Sequence, residues 1–291
     1  MLVDHATSCT FKVNGSDALE WLQGMVTHDV IGATSAVQRG LCLDRLGKIQ
    51  AEVLTWKQPG DGSLRLSVCG GDPEKLHEHF CRFIIMEDVS IESTQERLYS
   101  ISGPIEETIP ARLAAHGRVA ALQWVTTADI VCLVESERET NFRDATEQLG
   151  LVNSSVDDWD AWRIAAGLPA YGIDYDGADT PAVAGLVEEL VSSSKGCYLG
   201  QEVVCRTQMR GAIREQVVRM QLEAIPKVGA TVVLASSGEP IGRLTSVTAL
   251  DKSNANPAPK WGIGRVKRSS IDERADVMVD SIAGRICPRT Q

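Results

Sequence analysis

Residues 195–202 read Lys-Gly-Cys-Tyr-Leu-Gly-Gln-Glu, which brings an ammonium, a thiol, an aromatic ring, an amide and a carboxylate into one short stretch. Gly196 and Gly200 allow a positive φ, or a close approach of the backbone to a ligand. Packing alone does not explain so varied a set of functional groups. We therefore predict that residues 195–202 form the functional site.

Cys197 is the predicted reactive group of this segment. Lys195 lies two residues away, and a nearby cation stabilises the thiolate form of a cysteine. The N-terminus of a helix starting near Leu199 would act in the same direction. The alternative is a buried structural cysteine, which is the commoner state. The neighbours favour a redox-active or metal-ligating thiol, so Lys195 and Cys197 are predicted to be catalytic.

Other side chains offer contacts to a ligand, each with a plainer alternative. Tyr198 can stack on a planar ligand or simply pack. Glu202 can accept the paired N–H groups of an aminopyrimidine-type ring, or be a solvated helix residue. Arg206 lies in the stretch 195–219, whose five basic and two acidic residues give net +3, so it belongs to an anion site or to a solvated face. Arg163 either points into a pocket or pairs with a carboxylate.

The elements that must position these residues are predicted from hydrophobic periodicity and turn signals. A hairpin is expected over 39–56, because its second arm alternates apolar and polar residues. Helices are expected over 18–23, with Gly24 as the stop, and over 73–83, 105–116 and 138–149. After residue 211 short strands and turns predict a small barrel or sandwich. No βαβ glycine fingerprint is present, so the fold class is α+β rather than a dinucleotide fold.

Length and composition set the broader limits. A chain of 291 residues predicts two or three domains, which we place at 1–155, 156–210 and 211–291. The net charge of −10 argues against a large nucleic-acid surface, so direct RNA binding is not expected. Eight cysteines without a CxxC pair indicate a reducing compartment and disfavour structural zinc. No apolar run reaches the roughly 18 residues of a membrane span, and no signal peptide is evident, so a cytoplasmic location is expected.

The octapeptide 195–202 resembles the signature of the YgfZ-type folate-binding proteins, which are relatives of the glycine-cleavage T-protein (aminomethyltransferase). Further stretches fit this family in order: residues 13–24 followed by 27–30, the 39–56 hairpin, residues 163–174 and the C-terminal barrel. The octapeptide is highly specific, whereas the other stretches are supportive.

The resemblance implies a three-part, T-protein-like cloverleaf of α+β units and a small C-terminal β-barrel round a central cavity, which residues 156–210 complete. It implies binding of tetrahydrofolate or a derivative, and support for iron–sulfur enzymes as clients, with an indirect link to tRNA modification. The expected function is that of an accessory protein in iron–sulfur cluster assembly or repair. No metal site is predicted. The predicted cofactor-binding residues are Tyr198, Gln201, Glu202, Arg206, Arg163, Gly196, Gly200, Thr27 and Asp29.

Two departures from the family pattern bear on activity. The aminomethyltransferases carry an aspartate in the strand after their Gly-Gly turn, where this chain has Gln50 and Ala51, with Glu52 as a conceivable substitute. The missing acid argues against aminomethyl transfer, although a folate-dependent aminomethyl- or methyltransferase remains the alternative function. The family's usual Thr-Asn-Asp is Thr27-His28-Asp29 here. A third alternative, an RNA-associated module, is disfavoured by the acidic composition.

Overall fold

The computed structural model describes residues 1–57, 64–103, 106–123, 128–210, 213–248, 259–271 and 274–287. Contacts divide the chain into two compact units, Met1–Ser155 with Glu188–Gln201, and Val156–Val187 with Glu202–Gln291. Residues 195–201 thus belong to the first unit, and Glu202 to the second. The domain boundaries predicted from the sequence stay a prediction.

The first unit is built on two antiparallel sheets. Its strands are β1 (Leu2–Asp4), β2 (Cys9–Asn14), β3 (Val37–Leu43), β4 (Ile49–Lys57), β5 (Leu64–Gly71), β6 (Ser90–Ser93), β7 (Glu96–Ile101), β8 (Arg118–Gln123) and β9 (Ala128–Glu135). Its helices are α1 (Ala18–Met25), α2 (Pro73–Cys81), α3 (Ile109–Leu113) and α4 (Glu139–Gln148). The described strands form one sheet in the order β3-β4-β5-β2-β6 and a second in the order β1-β7-β9-β8.

The layering of this unit follows from the alternation along β4. Ala51 and Val53 pack into the cluster that holds the apolar faces of α1 and α2. Leu54 and Trp56 point to the opposite face, where they meet Leu98 and its neighbours from the second sheet. The far face of the second sheet is covered by α3 and α4. The order is therefore helices, sheet, sheet, helices.

Some helix ends differ from the predictions. Helix α1 runs past Gly24 to Met25, because Met25 still packs in the core and the last carbonyls are satisfied by a distant lysine rather than by a glycine cap. The helix predicted over 105–116 is shorter and begins at Ile109, where Pro110 occupies the first turn. The 39–56 hairpin is confirmed as β3 and β4. Helix α2 begins as the sequence indicates, with Pro73 in its first turn and Asp72 as N-cap.

The second unit is centred on a closed antiparallel barrel. Its described strands are β10 (Glu215–Leu222), β11 (Thr231–Leu234), β12 (Pro240–Val247), β13 (Lys260–Lys267), β14 (Asp276–Val279) and β15 (Ile282–Cys287), in the order β10-β13-β12-β11-β14-β15. It also holds α5 (Val156–Ala166) and α6 (Pro181–Ala184), while α7 (Val187–Leu190) and α8 (Gln201–Arg210) begin at the unit boundaries. The predicted α+β class and C-terminal barrel are confirmed. No helix in the described ranges is long and apolar enough to cross a membrane.

Candidate functional site

Lys195 fixes the predicted segment to the end of helix α1. Its Nζ donates to the backbone carbonyls of Gln23 (2.5 Å), Val26 (2.6 Å) and His28 (2.9 Å). An ammonium has three N–H donors, so these carbonyls account for all of them. The carbonyls at a helix C-terminus lack intrahelical partners and carry the negative end of the helix dipole, so a cation is stabilised there. Lys195 therefore holds the segment in place from a buried position.

Backbone hydrogen bonds extend this attachment on both sides of Lys195. The Ser192 N–H donates to the Thr27 carbonyl (2.9 Å), and the Leu199 N–H donates to the Gly24 carbonyl (2.9 Å). Thr27 Oγ1 donates to the Leu190 carbonyl (2.5 Å) and accepts from the Leu41 N–H (2.9 Å). Thr27 is buried and joins three chain segments. It therefore has a structural role, which is to hold residues 190–200 in place.

Gly200 completes the attachment against the β3–β4 turn. Its φ is +81°, and a Cβ built there would lie 2.5 Å from the Asp44 carbonyl oxygen and 3.1 Å from the Gly47 Cα. A side chain has room at Gly196, where no heavy atom lies within 4 Å of such a Cβ. The first glycine of the octapeptide therefore borders open space, whereas the second is required by the fold.

Cys197 is exposed, between the buried Lys195 and the buried Tyr198. The alternative predicted from the sequence, a buried structural cysteine, therefore does not apply to Cys197. The Cys197 thiol does not bind the Lys195 ammonium, because all three N–H groups of Lys195 donate to carbonyls. The Tyr198 ring centroid lies 5.3 Å from Lys195 Nζ, within the range of a cation–π contact. Because Tyr198 is buried against this ammonium, it positions the segment. The predicted catalytic roles of Lys195 and Cys197 stay predictions.

Burial shapes the electrostatics beside Lys195. Burial lowers the pKa of Lys195 to about 8. Burial, together with the nearby Lys195 charge, lowers the pKa of His28 to about 3, so its imidazole is neutral. The Asp29 carboxylate accepts from the Gly32 N–H (2.9 Å) and from Gln23 Nε2 (2.8 Å), and these bonds hold the pKa of Asp29 below its usual range. Asp29 thus stabilises the turn that follows the carbonyl groups to which Lys195 donates.

Gln201 and Glu202 begin helix α8. Glu202 and Arg206 contact each other one turn apart, with both side chains mostly exposed. Exposed pairs of this kind contribute about 0.3–0.5 kcal/mol, so the carboxylate can exchange Arg206 for another donor. Gln201 is half-buried. The helix predicted near Leu199 therefore starts two residues later, with Glu202 in its first turn.

Arg163 lies in the second unit and pairs with a carboxylate, which is the second of the two states predicted for it. Its Nη1 donates to Asp174 Oδ2 (2.9 Å) and to the Leu168 carbonyl (3.2 Å), and its Nη2 donates to Ser246 Oγ (3.3 Å). Asp174 also accepts from Thr245 and Ser246 of β12. Because both charged groups are buried, the pair joins α5 to the barrel. Its donors are directed to protein groups.

Glu52 lies on the opposite face of β4 from Ala51. The side chain of Ala51 is in the core beside α1, the face against which Leu199 packs. Glu52 is buried and pairs with Arg39 at 2.6 Å. Since successive side chains of a strand point to opposite faces, Glu52 does not replace a carboxylate at position 51. It shares its face with Gln50, but its carboxylate is engaged by Arg39.

Sequence reasoning missed the main partners of Lys195. Backbone carbonyls have no signature in the sequence, so nothing indicated that Gln23, Val26 and His28 would bind its ammonium. It also missed the exposed Ile85 and Met86 after α2, although Phe83-Ile84-Ile85-Met86 is visible as four consecutive apolar residues. Among the described residues, no group of three or more His, Cys, Asp or Glu side chains is placed to hold a metal ion.

Relatives of the chain include proteins named as aminomethyltransferases and as iron–sulfur cluster assembly factors. An aminomethyltransferase of Lysinibacillus sphaericus is 26% identical, over 84% of this chain and 73% of its own length. A protein named as a mitochondrial iron–sulfur cluster assembly factor IBA57 homolog, from Neurospora crassa, is 24% identical, over 96% of this chain and 71% of its own length. No family model matches the chain.

A solved structure agrees with the fold. The glycine cleavage system aminomethyltransferase T from Bartonella henselae superposes with a TM-score of 0.79 over 99% of this chain and 84% of its own, at 14% identity. This likeness establishes the T-protein fold. In sequence, the chain is similar over most of its length both to aminomethyltransferases and to IBA57-type iron–sulfur cluster assembly factors.

Proposed function

We propose that the protein supports the assembly or repair of iron–sulfur enzymes, with a tetrahydrofolate-type molecule as its bound cofactor. The observation that carries the proposal is the exposed Cys197 thiol, held on a segment that Lys195 fixes to the end of α1. A thiolate is the form of cysteine that ligates iron and attacks electrophiles. The relatives named as iron–sulfur cluster assembly factors support the same assignment.

The backbone around Cys197 suits a thiol that must meet a partner at a fixed place. Lys195 and Leu199, two residues to either side, are bonded to residues 23–28. The intervening side chain keeps its freedom and its exposure. The rigid support on both sides therefore presents the thiol at a fixed place without burying it.

The residues present fit a folate in part. The Glu202 carboxylate is exposed and weakly held by Arg206, so it can accept the paired N–H groups of a pterin-type ring. When bound, tetrahydrofolate supplies a carrier for one-carbon units. Tyr198 and Arg163 are engaged with protein groups, so we assign them supporting roles.

The geometry argues against the alternative, an aminomethyl- or methyltransferase. Gln50 and Ala51 stand where the resemblance calls for an acid, and the buried Glu52 carboxylate is held in an ion pair with Arg39. General acid–base assistance requires a group within hydrogen-bond reach of the reacting atoms. We therefore expect no turnover with a glycine-derived one-carbon donor.

Partners and location complete the proposal. The clients are iron–sulfur proteins, and an effect on tRNA modification would arise indirectly through iron–sulfur enzymes that modify tRNA. A cytoplasmic location is part of the proposal as well, although the curated IBA57 relatives are named mitochondrial.

The test is complementation of a strain that lacks the protein, read as the activity of its iron–sulfur enzymes. Wild type should restore that activity, and Cys197→Ser should restore it no better than an empty vector. Cys81→Ser is the matched control, because Cys81 is also an exposed cysteine but lies on α2 beside His77. Full activity with Cys197→Ser would remove the thiol from the proposal, and no loss in the deletion strain would remove the function.

The cofactor is tested separately by titration of the purified protein with tetrahydrofolate. Glu202→Gln should weaken binding by about tenfold, the equivalent of about 1.4 kcal/mol. Glu74→Gln is the control, since Glu74 is likewise an exposed acid in the first turn of a helix. No affinity of the wild type for tetrahydrofolate or its one-carbon derivatives would exclude the cofactor and leave the thiol role intact.

A further inference from the structure

Gln23 lies in the last turn of α1 and connects this helix end both to Lys195 and to the turn that follows the helix. Its backbone carbonyl accepts from Lys195 Nζ (2.5 Å). Its side-chain Oε1 accepts from the N–H of Val30 (2.7 Å) and of Ile31 (3.2 Å), and its Nε2 donates to Asp29 Oδ1 (2.8 Å). One side-chain amide therefore binds three consecutive residues of the turn.

The Gln23 amide also orients the Asp29 carboxylate. Asp29 Oδ1 accepts from Gln23 Nε2 and from the Gly32 N–H (2.9 Å), and a Cβ built at Gly32 would collide with Asp29 Oδ2. Burial lowers the pKa of Lys195, and the negative charge of Asp29 acts in the opposite direction. Gln23 thus holds two groups that favour the Lys195 ammonium, which are its own carbonyl and the Asp29 carboxylate.

These hydrogen bonds close a ring around Lys195. The His28 carbonyl, which accepts from Lys195 Nζ (2.9 Å), belongs to the residue immediately before Asp29. The ring runs from the Gln23 carbonyl through Lys195 to His28, then along the chain to Asp29 and back to the Gln23 amide. Hydrogen bonds that share groups in this way strengthen one another and favour a single geometry. The spacing of the carbonyls that Lys195 binds therefore depends on the Gln23 side chain.

We propose that Gln23 is a positioning residue for the Cys197 thiol. It sets the carbonyls and the carboxylate that hold Lys195, and through Lys195 it keeps residues 192–199 attached to the end of α1. The inference rests on the proposed function and adds the residue that keeps the thiol at a fixed place. The competing role is a general support of the first unit, which the experiments separate from a role in the segment.

Tryptic cleavage after Lys195 measures how often the segment opens, because the protease requires both the buried lysine side chain and an unfolded backbone around it. Gln23→Met preserves side-chain length and suits a helix, but it removes three hydrogen bonds, so this cleavage should rise about tenfold or more. Cleavage after Lys75, whose side chain on α2 is 81% exposed, should stay at the wild-type rate. Gln38→Met is the matched control, since Gln38 is also a half-buried glutamine of the first unit.

Gln23→Glu tests the hydrogen bond to Asp29 by itself. Glutamate keeps an acceptor for the N–H groups of residues 30–31, but its carboxylate faces that of Asp29, so the segment should open more often at pH 7. As the pH falls, two facing carboxyl groups share a proton, which restores a donor between them. Hydrogen exchange of the peptide 188–201 should therefore approach the wild-type rate between pH 7 and pH 5. Comparison with wild type at each pH removes the contribution of His28. An excess of exchange that does not change with pH would contradict the role of this bond.

The complementation assay connects the opening of the segment to function. Gln23→Met should restore less iron–sulfur enzyme activity than wild type, and Gln38→Met should restore as much. Urea unfolding of each variant is recorded first. If Gln23→Met does not fold, Gln23→Glu takes its place in all assays, because it retains the acceptor of the amide.

The outcomes separate the positioning role from the function. Equal cleavage after Lys195 in wild type and in Gln23→Met would overturn the inference. An equal rise after Lys195 and Lys75 would also overturn it, because Gln23 would then support the whole unit. A selective rise after Lys195 with full enzyme activity would show that the function does not depend on this positioning, which overturns it as well. If wild type itself restores no activity, the proposed function fails, and the cleavage pattern still decides whether Gln23 holds the segment.

Discussion

His28 buries a neutral imidazole beside a charged lysine. Its side chain is 6% exposed, and neither ring nitrogen has a hydrogen-bond partner within the part of the chain that the structure describes. A Cβ at Gly40 would lie 1.9 Å from its Nδ1, so the ring occupies the space that the glycine leaves. Lys195 and Asp29 are the charged groups that act on it, and burial with the Lys195 charge sets its low pKa.

This arrangement predicts acid sensitivity. The pKa of His28 falls from 6.5 to about 3 on folding, so between those values the unfolded chain binds a proton that the folded chain does not. Stability is therefore lost as the pH falls below 6.5, by about 2 kcal/mol at pH 5 for one such histidine. His28→Asn should remove this part of the loss. Urea unfolding at pH 7, 6 and 5 measures it.

His5 provides an internal comparison, because burial lowers its pKa to about 4. His28→Asn should therefore still show the loss of stability at acid pH that protonation of His5 causes. Above pH 7 both histidines are neutral in both states, so the difference between variant and wild type should be constant there. An equally steep loss of stability in wild type and in His28→Asn between pH 6.5 and 5 would contradict the assignment.

What the sequence revealed at this scale was the type of the residue and not its contacts. The varied groups of 195–202 indicated a functional segment, and the exposed Cys197 is compatible with that. The role of Lys195 as a ligand of carbonyls was out of reach, because a buried ammonium near carbonyls and an exposed one near a thiol have the same sequence. His28 stood out only as a departure from the family pattern.

At the scale of elements, the segment 195–201 and the turn 44–47 are packed through a glycine. Gly200→Ala should lower the free energy of unfolding by about 2 kcal/mol or more, since a non-glycine residue at positive φ costs about 1–2 kcal/mol and the methyl group also meets the Asp44 carbonyl. Chemical denaturation of the purified variant measures the change.

Gly196→Ala is the matched control in the same octapeptide. It lies at a position with open space and no positive φ, so its effect should stay within about 0.5 kcal/mol. Equal stability of the two variants would show that the turn does not confine the segment. A large loss in the control alone would place the close contact at the wrong glycine.

Local elements were predictable where the period of the sequence is undisturbed. The alternation over 48–56 identified β4, and Pro73 identified the start of α2. The order β3-β4-β5-β2-β6 was not predictable, because β2 and β6 pair across most of the unit and register between distant strands has no local signal. The end of α1 was missed for the same reason, since its cap comes from Lys195.

At the scale of the whole molecule, three of the described basic residues in the stretch 195–219 are engaged by protein groups. Lys195 is buried against carbonyls, Arg206 pairs with Glu202, and the Arg219 guanidinium lies 3.6 Å from the centroid of the Trp261 ring. The five basic residues counted in the sequence are thus partly engaged. Arg214 is exposed. These contacts do not favour the predicted anion site, and the exposed Arg206 and Arg214 fit the alternative, a solvated face.

The protein should accordingly not bind RNA directly. Nucleic-acid affinity depends on the number of phosphates neutralised, and a net charge of −10 opposes each of those contacts. A labelled tRNA-sized RNA titrated at about 150 mM salt should show no saturation below about 100 μM protein, the upper range of non-specific binding. Saturable binding that falls steeply with salt, and that is lost in Arg206→Gln with Arg214→Gln, would contradict this expectation. It would also make a direct role in RNA recognition preferable to an indirect effect through iron–sulfur enzymes.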